Sequence, residues 1–336
     1  GEGRRGLGGG AESREYCCID CEGRWCDEVC LTGYGSRGRP GYRYGGEVLG
    51  SEALLYLTPR ETPNQQCLES HISISPVPGA SPAMRTDLFG NVAHHFDLDV
   101  PHDRFEVTAS SLVAVAAPDW PDPDRTPAWD AASDTVPAAR GTDHHLLDTY
   151  AQRVEPLSLA NALRAFARPS FPAGVPVLAG ALDMTRRIFR DFAYDPGATT
   201  VSTPLATVLR TRRGVCQDFA RVMIAALRTL GLPAGYVSGY LVTEPPAGQP
   251  RLVGADQSHA WVRVHVPGFG WVDLDPTNGV ITGDGHITVA WGRGFRDVVP
   301  VKGVITGGGE HELKVEVDVI PEAEIAAASE AAGRAA

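Results

Sequence analysis

No run in these 336 residues approaches 18 consecutive apolar side chains, so no membrane-spanning helix is expected. The first residues lack the apolar segment of a secretory signal, and the chain is read as cytoplasmic. Basic clusters are also missing. The net charge is −11, and nothing has the footprint of a nucleic-acid or membrane-surface binder. No glycine-rich loop follows a strand and opens a helix, which argues against nucleotide binding. No internal repeat is present. Beyond residue 41 only Cys67 and Cys216 remain of the seven cysteines, and both are expected as free thiols.

What is present is ordinary globular material, 43% hydrophobic and 21% charged, long enough for about two domains. Residues 1–41 stand apart as a Gly- and Arg-rich leader holding Cys17, Cys18, Cys21, Cys26 and Cys30. A disordered or non-native segment is the first reading, and a zinc knuckle over Cys18–Cys30 the second. From 42 to 116 short runs alternate with turn residues: Tyr42–Val48, Ala53–Leu57, Gln66–Ser75, Val92–Leu98 and Phe105–Val115. This predicts a β-sandwich. His94 and His95 point to opposite sides of their strand and are not expected to share a metal. Residues 117–157 read as a Pro- and Asp-rich linker and lead-in.

Residues 158–310 form the second domain, and 311–336 a terminal strand and disordered tail. Helices are expected over Ser158–Phe166 and Val177–Phe192. Another should follow Thr203 as N-cap, with Pro204 at its first position. The fourth runs from Cys216 to Leu230, with Phe219, Val222, Met223, Ala226 and Leu227 at helical spacing and Gly231 as its stop. Cys216 then sits in a first helical turn, where free N–H groups and the helix dipole favour a thiolate. The plain alternative for a lone cysteine is a small core residue.

After Pro233 the period becomes two. Tyr236–Val242 is a strand, Thr243–Asp256 a loop, and His259–Val266 and Gly270–Asp275 a hairpin. A three-residue loop, 267–269, pairs Val266 with Gly270. Arg263 then faces Asp273, and Trp261 faces Asp275. His259 becomes the diagonal neighbour of Asp275, at roughly 7–8 Å between Cβ atoms. Asp275 is therefore the carboxylate to orient His259, and Asp273 the ion-pair partner of Arg263. Cys216, His259 and Asp275 together suit nucleophilic acyl chemistry: a thiolate, a proton shuttle and a carboxylate that fixes the ring. The Cys216 N–H is a natural oxyanion donor, and a second donor is not assigned. Asp273-Leu-Asp275-Pro-Thr-Asn278-Gly279 departs from a calcium loop in its glycine position and lacks the closing Glu.

Gly214-Val215-Cys216-Gln217-Asp218-Phe219, Gly239-Tyr240-Leu241, Ser258-His259-Ala260-Trp261 and Trp271–Asn278 resemble the bacterial transglutaminase-like cysteine enzymes. Leu57-Thr58-Pro59-Arg60 and Asp87-Leu88-Phe89-Gly90-Asn91 are similar to the β-sandwich that precedes their core. The resemblance implies an α+β fold: an N-terminal β-sandwich, then a papain-like transglutaminase core with helices packed on an antiparallel sheet. It also implies a Cys216–His259–Asp275 triad acting on a peptide or protein substrate with no cofactor or metal. Hydrolysis by a peptidase or amidase is the first expectation. A protein-glutamine transglutaminase and a non-catalytic peptide-binding module are the alternatives.

Overall fold

The computed structural model describes residues 14–17, 30–32, 41–131, 142–242 and 258–321; of 14–17, 30–32, 142–145 and 321, only the backbone. Most of the cysteine-rich leader, the 243–257 loop and the 322–336 tail lie outside the described residues, and the zinc-knuckle reading with them.

The N-terminal part is built from β1 (Gly41–Leu55), β2 (Gln65–Ser75), β3 (Ala83–Thr86), β4 (Val92–Leu98) and β5 (His102–Val115). Buried and half-buried positions alternate along β5, with Phe105, Val107, Ala109, Val113 and Val115 inward. The start of β5 pairs with β1 (Tyr42 with Phe105), and the rest with β2, from Ser75–Glu106 to Gln65–Val115. One strand thus serves both layers, and the sheet curls over its own core. Two of the runs read from the sequence, Tyr42–Val48 and Ala53–Leu57, prove to be one continuous strand. Gly50, between them, does not break the strand, and Gly45 within the first run is a site of close backbone approach: a Cβ there would lie 3.2 Å from Glu310 O.

Among the described residues five α-helices have full bounds: α1 (Thr142–Ala151), α2 (Leu157–Ala167), α3 (Val177–Asp191), α4 (Leu205–Thr211) and α5 (Cys216–Thr229). α1 falls in the stretch read as linker. α4 starts one residue later than expected, with Pro204 at its cap. Thr203 instead closes the preceding turn, its Oγ1 accepting from Thr200 N–H at 2.8 Å. α5 packs between α2, α3 and α4 and the second sheet, so it is buried around nearly its whole circumference. Gly231, at φ +80, ends it as expected.

The second sheet comprises β6 (Ala234–Leu241), β7 (Ser258–Val266), β8 (Gly270–Asp275), β9 (Val280–Ile281) and β10 (His286–Gly292), in the antiparallel order β9-β8-β7-β6-β10. The chain then returns to the first sheet, where β11 (Val301–Gly307) and β12 (His311–Lys314) both pair with β1. The strand at 301–307, placed with the core in the sequence analysis, therefore belongs to the N-terminal sheet.

Two side-chain amides join the parts. β10 is an edge strand, and its outward backbone groups need partners. Gln65 donates Nε2–H to Thr288 O at 2.7 Å and accepts Thr288 N–H on Oε1 at 2.8 Å. Asn91 does the same for Trp291, at 2.7 and 2.9 Å. The turn Asp87–Asn91 presents Asn91: the Asp87 carboxylate accepts from Phe89 N–H, Asn91 N–H and Asn91 Nδ2–H. Arg60 lies over the Trp291 ring, 3.3 Å from its centroid. Buried apolar side chains accordingly form one contiguous cluster through both parts, from Leu55 and Phe96 to Met223 and Val262. No helix among the described residues is long and apolar enough to cross a membrane.

Candidate active site

Cys216 opens α5 behind an extended Val215. The turn is held by Asp218, which is 1% exposed. Its carboxylate accepts from Val215 N–H at 3.2 Å and from Thr199 Oγ1–H at 2.6 Å. Gly214 is needed because a Cβ there would sit 2.6 Å from the Asp218 carboxylate. The sequence motif around Cys216 is thus a helix-entry device: a glycine that admits the carboxylate, and a carboxylate that caps the helix.

The hairpin has the expected register, with Val266 opposite Gly270 and Arg263 opposite Asp273; the ladder ends at Val262–Leu274. Beyond it, His259 Nε2 lies 2.8 Å from Asp275 Oδ2. Asp275 is fully buried and holds five donors. Its Oδ2 also receives Asn278 Nδ2–H at 2.6 Å and His286 Nε2–H at 3.1 Å. Its Oδ1 receives Thr277 N–H at 2.9 Å and Asn278 N–H at 3.2 Å. The Pro276-Thr277-Asn278 turn is therefore a carboxylate cradle. Burial alone would raise the Asp275 pKa, but the hydrogen bonds from His259 and His286 outweigh it and hold the carboxyl well below its usual range.

A carboxylate only accepts, so His259 Nε2 carries the proton toward Asp275 and Nδ1 is left for another partner. The Cys216 thiol lies near the same ring and interacts with it electrostatically. Burial alone would lower the imidazole pKa; the interactions with Asp275 and Cys216 override it and push the value up to about 10. The structure thus brings Cys216, His259 and Asp275 together, each from a separate element.

Asp273 is not in this chain of contacts. Its Oδ2 accepts Trp261 Nε1–H at 3.1 Å, and its Oδ1 lies 3.5 Å from Arg263 Nε. The pair is buried, each residue 7% exposed, although the alternation pattern places it on a polar face. Trp261 is fully buried and packs edge-on against His286, with ring centroids 5.4 Å apart. Gly239 makes room, since a Cβ there would lie 2.4 Å from the indole. His94 and His95 go to different partners, Thr58 Oγ1 at 2.9 Å and Glu52 Oε1 at 2.8 Å.

Two residues of this site were not read from the sequence. His286 carries no local motif and reaches Asp275 only because the sheet curls. Asp218 sits three residues after the cap, where an acidic residue signals a capping box, and could have been identified by that spacing.

Residues 170–276 match the transglutaminase-like superfamily, and residues 39–114 the bacterial transglutaminase-like N-terminal region. An uncharacterized protein of Mycobacterium tuberculosis is 39% identical over 291 residues, covering 84% of this chain and 91% of its own length. A protein-glutamine gamma-glutamyltransferase of Pseudomonas aeruginosa is 36% identical over 98 residues, 27% of this chain and 15% of that one. In fold, the chain is similar to a candidate cysteine protease from Cytophaga hutchinsonii, with a TM-score of 0.67 at 16% identity over 92% of this chain and 91% of that one. A bacterial transglutaminase-like N-terminal region ahead of a transglutaminase-like core, shared nearly end to end with a mycobacterial relative, shows that the chain belongs to the bacterial transglutaminase-like family.

Proposed function

We propose that this protein performs thiol-dependent acyl transfer on amide or peptide bonds through Cys216, His259 and Asp275, with water as the acceptor. The observation that carries this reading is the relay itself: Asp275 takes one ring nitrogen of His259 at 2.8 Å, and the Cys216 thiol at the start of α5 is near enough to the same ring to raise its pKa. Cys216 Sγ, its proton already held by His259, attacks the carbonyl carbon as the thiolate. The Cys216 N–H, at the start of α5, donates to the developing oxyanion. The leaving amine takes the proton from His259 as the C–N bond breaks, leaving a thioester. Water then attacks the thioester and gives its proton to His259, releasing the acid and restoring the Cys216 thiolate beside protonated His259.

An amine acceptor gives a second reading, a transglutaminase, favoured by the stretch similar to the Pseudomonas glutamyltransferase. Both routes share the thioester, so the acceptor is what must be tested.

Brief iodoacetamide treatment followed by mass spectrometry should label Cys216 ahead of Cys67. Burial and the nearby Glu61 push the Cys67 thiol up to about 11, which suppresses its thiolate. Incubation with a peptide library, with and without a primary diamine, should then yield hydrolysis products that Cys216→Ala abolishes. Equal labelling of both cysteines, or turnover surviving in Cys216→Ala, would sink the reading. Amine incorporation in place of hydrolysis would select the transglutaminase.

A further inference from the structure

A cavity of about 790 Å³ lies between the second sheet and the 62–64 and 116–121 segments. Neither Cys216 nor His259 lines it, so it is distinct from the thiol site. Trp120, Trp271 and Phe269 provide aromatic wall, and Trp120 is fixed there by donating Nε1–H to Thr282 O at 2.7 Å.

Arg263 and Asp273 stand in the same lining, and both are more than nine-tenths buried. The Arg263 guanidinium makes no hydrogen bond among the described residues, and its Nε is buried without a partner. Asp273 Oδ1 is likewise buried without a hydrogen bond, its only opposite charge being Arg263 itself. The two atoms are 3.5 Å apart, beyond a good charge-assisted bond. Such groups are ordinarily satisfied by something.

The aromatic faces narrow the choice. Arg263 lies 3.5 Å from the Trp291 centroid and 5.2 Å from that of Trp271. Arg60 is 3.3 Å from the Trp291 centroid, and two guanidinium groups that close must take opposite faces. Cations of the protein thus already occupy the Trp291 ring, so an organic cation gains no aromatic site there. A carboxylate alone would leave Asp273 Oδ1 unmet, and an amine alone would leave Arg263 unmet. A ligand carrying both charges on adjacent atoms meets both.

We propose that this cavity binds a free amino acid with an aromatic or large aliphatic side chain. Its α-carboxylate is held by Arg263, its α-ammonium by Asp273 Oδ1, and its side chain by the Trp and Phe walls. The link to the thiol site is His286, which lines the cavity and donates to Asp275 at 3.1 Å.

The test reads binding directly, so it is independent of any turnover at Cys216. Full-length Cys216→Ala protein is titrated by calorimetry with L-phenylalanine, L-leucine, phenylpropionate and phenethylamine. L-Phenylalanine or L-leucine should bind saturably. The carboxylate-only and amine-only analogues should each bind about tenfold or more weakly than L-phenylalanine, a factor of ten being about 1.4 kcal/mol. Phe269→Ala, at an exposed hairpin turn where the fold does not depend on it, should weaken binding at least several-fold; it keeps the test decisive should Arg263→Gln fail to fold. Absence of saturable binding by either amino acid, an analogue matching L-phenylalanine, or an unchanged affinity in Phe269→Ala would each overturn the proposal.

Discussion

His286 donates its Nε2–H to Asp275 Oδ2 across 3.1 Å, while its own Nδ1 accepts Gly283 N–H at 3.3 Å. The second bond fixes the tautomer that makes the first possible. His286 is thus a positioning residue for the carboxylate, with no contact to the thiol. Removing it in His286→Leu should raise the Asp275 pKa and move the acid limb of any amidase activity to higher pH. Stability should fall by about 1.5–3 kcal/mol, the range for a hydrogen bond to a charged group. His286→Gln, which can still donate, should recover part of both. A pH–rate profile and a denaturant titration of the two variants check this; an unmoved acid limb in His286→Leu would count against the role.

Asp273 and Asp275 should respond differently to the same substitution. Asp275→Asn is expected to retain the fold and lose turnover by orders of magnitude; the comparable change in a serine triad costs about 10⁴. Asp273→Asn leaves Arg263 as a buried charge without its partner and should cost about 3–5 kcal/mol of stability. The measurements are turnover and thermal midpoint of each. Loss of turnover without loss of stability in Asp273→Asn would reverse the assignment.

The relay also sets a pH window for stability. His259 is raised from 6.5 to about 10, so its contribution is complete below pH 6.5 and is lost as pH rises through about 10. Asp275 is lowered from 3.8, so its contribution is present above that pH and is lost as pH falls below it. The midpoint advantage of wild type over His259→Gln should therefore shrink between pH 6.5 and 10. Calorimetry across that range tests the sign, and a constant difference would contradict it.

Gln65 and Asn91 should act as structural joints. Gln65→Ala leaves Thr288 N–H without its acceptor at a buried edge, while Thr288 O keeps Arg60 N–H at 3.2 Å; the one unmet group costs about 1–3 kcal/mol. Because the apolar core is continuous through both parts, the expected result is a lower midpoint with a single transition. Two resolved unfolding steps would show that the parts melt independently.

The sequence by itself determined the elements whose contacts are local. The 3.6-residue period placed Cys216 at a helix start. The period of two and the three-residue loop at 267–269 set the hairpin register, which carries His259 toward Asp275. The family resemblance named the same three residues. Side-chain parity, however, says which residues share a face and nothing of what covers it. The polar face with Arg263 and Asp273 is buried because the N-terminal part docks on it through Arg60, Gln65 and Asn91, residues about 200 positions away in the chain. His286 reaches Asp275 for a similar reason: Gly239 has no side chain, Trp261 fills that space, and the curled sheet brings the start of β10 back over the end of β8. Both depend on packing between elements distant in sequence, which no local period encodes.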